Sequence, residues 1–298
     1  MMEIPNLQRD ISLAPYTTYK IGGKADYFII AKSKDELISA VIKARENKIP
    51  YFILGTGANI LVGDKGFRGL VIKNEARSIS FKENLVTADS GVVLSDLIQE
   101  TLKRSLSGLE HYAGIPSSIG GAIWQNLHFL SPDRETTLFI ESVVESAEIL
   151  DEENKLLKVG RDFFKFAYDY SILHEKNVLV TEVTFRLVHK DKEKIMNQIS
   201  ENLKWREDRQ PQLDQFPSCG SVFKKIEGVG AGRLIDEVGL KGYKIGGAMV
   251  SEKHANYLVN TGNATASDVG GLIDLIKKKV ERELGYTLET EISFVGEF

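Results

Sequence analysis

The residues best suited to chemistry stand in five short runs. Tyr51 to Leu54 is apolar and leads into Gly55-Thr56-Gly57-Ala58-Asn59-Ile60-Leu61. A glycine-rich turn after a strand lets backbone N–H groups come close to a pyrophosphate. The spacing differs from the dinucleotide fingerprint G-x-G-x-x-G, whose third glycine would fall at Ile60. No Gly-Lys-Ser/Thr follows, so it is not a P-loop either. A plain tight turn is the competing reading. The second run is Gly114-Ile115-Pro116-Ser117-Ser118-Ile119-Gly120-Gly121-Ala122-Ile123-Trp124-Gln125-Asn126. Its small residues allow backbone to lie against a flat or anionic ligand, or two elements to pack closely.

The third run, Ser218-Cys219-Gly220-Ser221-Val222-Phe223-Lys224-Lys225, gathers two hydroxyls, a thiol and two ammonium groups. Cys219 reads as a nucleophile or, more commonly, as a buried inert thiol. The lysines suit a phosphate or a solvated surface. The fourth, residues 239–256, carries His254, a general base or, more commonly, a structural turn histidine. In the fifth, Leu288-Glu289-Thr290-Glu291-Ile292, strand periodicity places Glu289 and Glu291 on one side. Spacing alone favours a solvated face there.

The elements that must position these runs are legible in outline. Residues 33–48 form a helix with Ser33 and Glu36 in a capping-box pattern and Leu37, Val41 and Ala44 on one face. Strands are predicted over 51–54, 70–73 and 84–88, and a helix over 94–103. Residues 143–151 and 155–159 read as a hairpin. Residues 178–188 alternate, with Leu179, Thr181, Val183, Phe185 and Leu187 the set that faces a core. A polar helix over 191–209 carries Ile195, Ile199 and Leu203 on one face and leads to Gln210-Pro211-Gln212, a domain boundary. A short helix over 231–238 follows. A longer helix spans 267–284, with Ser267 as N-cap and Gly285 just beyond its end, and a final strand spans 287–295. The fold class is α+β, in three parts.

Bulk properties narrow the function classes. A chain of 298 residues accommodates two or three domains. A net charge of -4 carries no electrostatic footprint for nucleic acid or an anionic membrane. The single cysteine excludes an intramolecular disulfide, and the five histidines have no metal-ligand spacing, so no metal is expected. Residues 1–10 do not read as a signal peptide, and no apolar stretch approaches about 20 residues. These features predict a cytoplasmic protein without membrane insertion.

In this order, the runs resemble the UDP-N-acetylenolpyruvoylglucosamine reductases, in their shorter second type. The opening Thr17-Thr18-Tyr19-Lys20-Ile21-Gly22-Gly23-Lys24-Ala25 belongs to the match, as do Ala231-Gly232-Arg233-Leu234-Ile235 and the Leu288-Glu-x-Glu291 close. The resemblance implies a vanillyl-alcohol-oxidase-like FAD-binding fold of two subdomains, residues 1–75 and 76–208, plus an α+β substrate domain, residues 209–298. It implies FAD and NADPH as cofactors and a nucleotide-sugar substrate. It places Gly55, Thr56, Gly57, Ala58, Asn59, Ile60, Ile115, Pro116, Ser118, Gly120, Gly121 and Asn126 at the flavin. Ser221 corresponds to the family's proton donor and Glu291 to its C-terminal carboxylate, which overrides the solvated-face reading. Lys224, Lys225 and Tyr168 fall to the substrate.

The pattern also breaks. The family's catalytic arginine lies in Tyr-Arg-x-Ser, and here the segment is Tyr168-Asp169-Tyr170-Ser171, with Asp169 at the arginine position. Another cation substitutes (Arg134, Arg161 and Lys225 are candidates), or the local alignment is shifted, or the substrate is no longer reduced. Leu127-His128-Phe129 stands where the family has an Ala-Gly-Ala type run, and Ser117 replaces a glycine. The competing functions are a same-fold flavin oxidoreductase with another substrate and a flavin- or nucleotide-sugar-binding protein without catalysis.

Overall fold

A computed structural model describes residues 4–226 and 228–298, so the first three residues of the N-terminal reading lie outside the described residues. The chain divides into two compact units. The first comprises Met1–Leu7, Ile29–Thr56 and Ile72–Arg206, and the second Gln8–Phe28, Gly57–Val71 and Glu207–Phe298. The α+β class holds, with six α-helices among the described residues and sheets in both units.

In the first unit, helix α1 (Lys34–Glu46) buries Leu37, Ala40, Val41 and Ala44. Ser33 Oγ accepts from the Glu36 N–H at 3.2 Å, as its position predicts. The other half of the capping box is displaced by one residue, because the Glu36 carboxylate takes the Lys32 N–H at 2.8 Å. The central element is a five-stranded antiparallel sheet in the order Leu156–Gly160, Val144–Leu150, Leu179–Arg186, Leu85–Asp89, Ile79–Lys82. The predicted hairpin is present as the pairing of its first two strands. Alternation also predicts the middle strand correctly. Val183 and Phe185 are fully buried, each contributing about 1.5–3 kcal/mol of hydrophobic stabilisation.

Against this core pack residues of α2 (Leu94–Lys103) and α3 (Ile119–Gln125), including Leu97, Ile98, Ile119 and Ile123. Helix α4 (Lys192–Arg209) buries Ile195, Gln198, Ile199 and Asn202. Leu203, expected on that face, is 46% exposed. At about 100° per residue it lies about 80° around the helix from Ile195, whereas Asn202 lies within about 20°.

In the second unit, Gln8–Ser12 pairs antiparallel with Lys24–Ala31, Ser12 opposite Lys24. Helices α5 (Ala231–Glu237) and α6 (Ala266–Leu284) share a core with Val222, Phe223, Ala248, Val250 and Leu258. Lys244–Ile245, Ala248–Val250 and Leu258–Asn260 form a small antiparallel sheet. Helix α6 starts one residue earlier than expected because its cap is Thr265, in a reciprocal box with Asp268. Ser267 instead donates its hydroxyl to Asp64 at 2.7 Å. The long final strand is not continuous. Only Ser293–Val295 is regular, parallel to Ile60–Val62, and the preceding residues join Val222 to Lys224 through single backbone bonds. Among the described residues no helix is long and apolar enough to cross a membrane.

Candidate functional site

The division between the units falls inside the glycine loop, so each half has its own surroundings. In the first unit, Gly55 and Thr56 leave the strand Tyr51–Leu54 and meet the second glycine-rich run. Thr56 Oγ1 donates to the Pro116 carbonyl at 2.7 Å. A Cβ on Gly55 would overlap Ser118 Oγ, so only glycine allows this approach. Ser118 is itself engaged as the N-cap of α3, accepting from the Gly121 N–H at 3.3 Å. Gly120 donates to the Ser90 carbonyl at 2.7 Å. Two runs assigned to one ligand by resemblance are therefore adjacent, and the backbone that lines them carries almost no side-chain bulk. These residues fit the pyrophosphate and ring system of FAD.

Lys73 joins this loop, and sequence reasoning did not single it out. Its ammonium donates to the Gly55 carbonyl. In a trans peptide the carbonyl and the next N–H point to opposite sides, so this contact fixes the direction of the Thr56 N–H. Burial pulls the Lys73 ammonium below its ordinary range, only partly offset by Glu75. A lysine closing the apolar run Leu70-Val71-Ile72, all fully buried, was the available signal.

Asn126 ends α3 in the left-handed region, φ 47° and ψ 60°. It is fully buried. Its amide nitrogen donates to Glu141 Oε1 at 3.2 Å and to the Ala167 carbonyl at 3.0 Å. It is thus a brace between the α3 terminus and the 167–170 turn. That turn is closed by reciprocal backbone bonds between Ala167 and Tyr170, 3.1 and 3.3 Å, with Tyr168 and Asp169 at its tip. Tyr168 is 41% exposed. Asp169 is buried, 3.5 Å from His128 Nδ1. Of the cations considered, Arg134 donates to Asn202 at 2.9 Å and lies over the Trp205 and Phe129 rings. Arg161 is beside Asp162 at 3.8 Å.

In the second unit, Gly57 has φ 68° and its Cβ would sit 2.6 Å from the Tyr16 carbonyl oxygen, so the opening Thr17-Thr18 run folds against it. Thr18 N donates to the Gly57 carbonyl at 3.2 Å. Beyond Ala58, Asn59 Nδ2 reaches the Glu291 carbonyl at 3.5 Å and Ser293 N donates to the Asn59 carbonyl at 3.0 Å. Ile60 pairs with Ser293. The second half of the glycine loop is therefore tied to the C-terminal carboxylate run.

The runs that carry Ser221 and Glu291 lie side by side in the same unit. Ser221 is bridged to Tyr257, and Glu291 N donates to the Val222 carbonyl at 2.8 Å. Asn256 clamps the next residue from both sides, accepting from Phe223 N at 2.9 Å and donating to its carbonyl at 2.8 Å. Residues 221–224 thus lie between 256–257 and 289–291, which sets a hydroxyl and a carboxylate on adjacent backbones. Asn256 was passed over beside His254, although an amide in a small-residue run is suited to replacing ladder bonds. Glu289 and Glu291 differ in burial. The Glu289 side chain is exposed and 3.3 Å from Lys224, whereas Glu291 is half-buried. Lys225 is exposed.

The other candidates settle as structural parts. Burial pushes the Cys219 thiol well up, and the charge of Glu291 adds to this, so no thiolate forms near neutrality. His254 Nδ1 accepts from Asn256 N at 3.2 Å inside a turn, and burial pulls its imidazole below the ordinary range.

The likeness to known proteins agrees with this geometry. Residues 25–160 match the family described as FAD binding domain, and residues 210–295 match the C-terminal domain of UDP-N-acetylenolpyruvoylglucosamine reductase. A reductase of that name from Caldanaerobacter subterraneus subsp. tengcongensis is 42% identical over 283 residues, 95% of this chain and 91% of the relative. One from Clostridium botulinum is 37% identical over 292 residues, 98% and 93% of the two chains. The crystal structure of the reductase from Thermus caldophilus superposes with a TM-score of 0.81 at 32% identity, covering 97% of this chain and 99% of that one. The chain therefore belongs to the UDP-N-acetylenolpyruvoylglucosamine reductase family.

Proposed function

We propose that this protein is an FAD-dependent oxidoreductase that uses NADPH to reduce UDP-N-acetylglucosamine enolpyruvate to UDP-N-acetylmuramate, a step in making peptidoglycan precursors. The observation that supports the reading best is that the run carrying Ser221 and the run carrying Glu291 lie on adjacent backbones beside the second half of the glycine loop. Bound FAD would supply hydride transfer from NADPH to the enolpyruvyl methylene carbon. Negative charge then develops at the neighbouring carbon and its carboxylate, and a proton must arrive there. Ser221 Oγ delivers that proton, with Glu291 held next to it to assist and reset the hydroxyl. A serine is a weak acid, so its delivery depends on this fixed neighbour.

Gly55, Thr56, Gly57, Ala58, Asn59 and Ile60, with Ile115, Pro116, Ser118, Gly120 and Gly121, hold the cofactor, while Asn126 positions the run that carries them. Lys224, Lys225 and Tyr168 act on the substrate. Residues 1–75 and 76–208 serve as FAD-binding subdomains and 209–298 as the substrate domain. The protein acts in the cytoplasm, where NADPH and the nucleotide substrate are found.

Anaerobic stopped-flow absorbance at the flavin maximum tests this. NADPH should bleach the flavin and the enolpyruvyl nucleotide should restore it. Bleaching without recovery would assign the electrons to another acceptor, and a chain that takes up no FAD would end the flavoenzyme reading.

A further inference from the structure

The backbone around residue 221 settles where the Ser221 side chain begins, not where its hydroxyl points. Gly220 precedes it with φ 83°, and Asn256 clamps Phe223 two positions on. A serine side chain still has three staggered positions about its Cα–Cβ bond. A neighbour must choose among them if the proton is to leave in one direction.

That neighbour is Tyr257. Ser221 and Tyr257 stand opposite each other in an antiparallel bridge. The bond from Val222 N to the Asn256 carbonyl, 2.9 Å, lies beside the pair, so the two residues do not exchange bonds with each other. Pairs of this kind approach to about 4.5 Å between Cα atoms, closer than hydrogen-bonded pairs, and their side chains leave the backbone on one face. Tyr257 is buried and Ser221 half-buried. A large covered ring thus stands next to a small, partly accessible hydroxyl.

The ring has its own support. It meets the His254 imidazole edge-on, 5.0 Å between centroids and 61° between planes. That imidazole lies against helix α5, where a Cβ on Gly232 would stand 3.1 Å from His254 Cε1, closer than side chains ordinarily pack. The turn is closed by Ser251 N to the Tyr257 carbonyl at 2.8 Å, Tyr257 N to the His254 carbonyl at 2.9 Å and Asn256 N to His254 Nδ1 at 3.2 Å. Helix, imidazole, phenol ring and serine therefore form one row, all of it inside the second unit.

We infer that Tyr257, backed by His254, is the positioning residue for Ser221, its ring fixing the direction from which Oγ gives its proton to the enolpyruvyl group. The inference rests on the reductase reading above, and its consequence is stereochemical. The hydride pair forms a C–H bond at the methylene carbon, which becomes a methyl group. The π pair of the double bond takes the proton from Ser221 Oγ at the neighbouring carbon, and the serine oxygen regains its proton from solvent. That neighbouring carbon becomes a stereocentre. One donor held on one side gives one configuration, whereas a hydroxyl free to turn lets water compete from either side.

The two half-reactions of the holoenzyme, followed separately by anaerobic stopped-flow, separate this from a packing role. Tyr257→Leu should leave bleaching of the flavin by NADPH unchanged, which also reports that the variant is folded with its cofactor in place. Reoxidation by UDP-N-acetylglucosamine enolpyruvate should slow by about 10- to 100-fold, the cost of a small misplacement of a reacting group. Proton NMR of the product should then show both configurations at the new stereocentre. Tyr257→Phe, which keeps the ring, should recover the rate and the single configuration. On a Ser221→Ala background Tyr257→Leu should cause no further slowing, because its effect runs through Ser221. If Tyr257→Leu does not fold, His254→Gln, which removes the ring behind the phenol, carries the same test with a smaller slowing. An unchanged rate with one configuration overturns the assignment, as does equal slowing of both half-reactions or further slowing on the Ser221→Ala background. A wild-type flavin that the enolpyruvyl nucleotide never reoxidises would instead overturn the underlying reductase reading.

Discussion

The Ser221–Glu291 cluster and the 126–170 corner are built by different means. In the cluster, neighbouring segments are joined by backbone bonds: Val222 N to the Asn256 carbonyl, Glu291 N to the Val222 carbonyl, and Lys224 N to the Glu289 carbonyl. One side chain, Asn256, completes the ladder. In the corner, side chains carry most of the joining: Asn126 to Glu141 and Ala167, Ser171 to Trp124, and His128 to Asp169. Backbone bonds are blind to side-chain identity, so the cluster fixes the placement of Ser221 and Glu291 whatever surrounds them. Side-chain joints need matched partners, so a change at one partner calls for a change at the other.

The largest effect should come from Ser221→Ala. Flavin reoxidation by the enolpyruvyl nucleotide should slow by about 10²–10⁴-fold, the range of a lost general acid, as single-turnover stopped-flow would record. An unchanged rate would remove Ser221 from proton delivery and leave the cluster as scaffolding.

Asn256→Ala tests whether the cluster really depends on so few side chains. It strands a buried N–H and a buried carbonyl of Phe223. The expected loss is about 2–6 kcal/mol of stability in denaturant unfolding, at about 1–3 kcal/mol for each orphaned group. A loss well under about 1 kcal/mol would mean that the ladder closes without it.

Lys73→Met addresses the first half of the glycine loop, within the first unit. Removing the ammonium frees the Gly55 carbonyl, and FAD affinity measured by fluorescence quenching of the apoprotein should fall by about tenfold, one lost charge-assisted bond in a partly buried place. Lys73→Arg should recover part of it. Equal affinity in all three proteins would reduce Lys73 to packing.

The smallest effect concerns pH, in another side-chain joint of the first unit. Burial works against the charge on Glu110, but the Gly108 N–H at 2.6 Å and the Ser107 hydroxyl at 2.5 Å more than offset it, so its carboxyl is held below the ordinary range. A depressed carboxyl stabilises above its unfolded value, about 4.3, and that contribution is lost as pH falls through the folded value. Melting temperatures from pH 3 to 7 should fall at the acid end, and Glu110→Gln should flatten that fall. An identical acid limb in the variant would exonerate Glu110.

The readable parts of the sequence were those governed by local rules. The period-two pattern of residues 178–188 gave the central strand because each side chain of a strand faces one of two sides. Ser33 and Gly285 marked helix ends through their own backbone preferences. The site runs were visible as glycine and small-residue clusters, and resemblance joined them. Less legible were positions decided by distant partners. Ser267 looks like a cap by composition, but Thr265 takes that role because Asp64 claims Ser267. Glu289 and Glu291 look alike in a strand, yet Glu289 lies exposed beside Lys224 while Glu291 is half-buried.

By itself the sequence determined which residue types were present to do chemistry, the α+β class, and the identity of the loops, because composition, periodicity and turn propensity act over a few residues. Only the tertiary structure decided that Lys73 closes on Gly55, that Asn256 clamps Phe223, and that His128 meets Asp169. These pairs are separated by 18, 33 and 41 positions, and no local preference links residues so far apart. Their contact follows from burial of the cores that bring the segments together, and the electrostatics of each site arise from that contact.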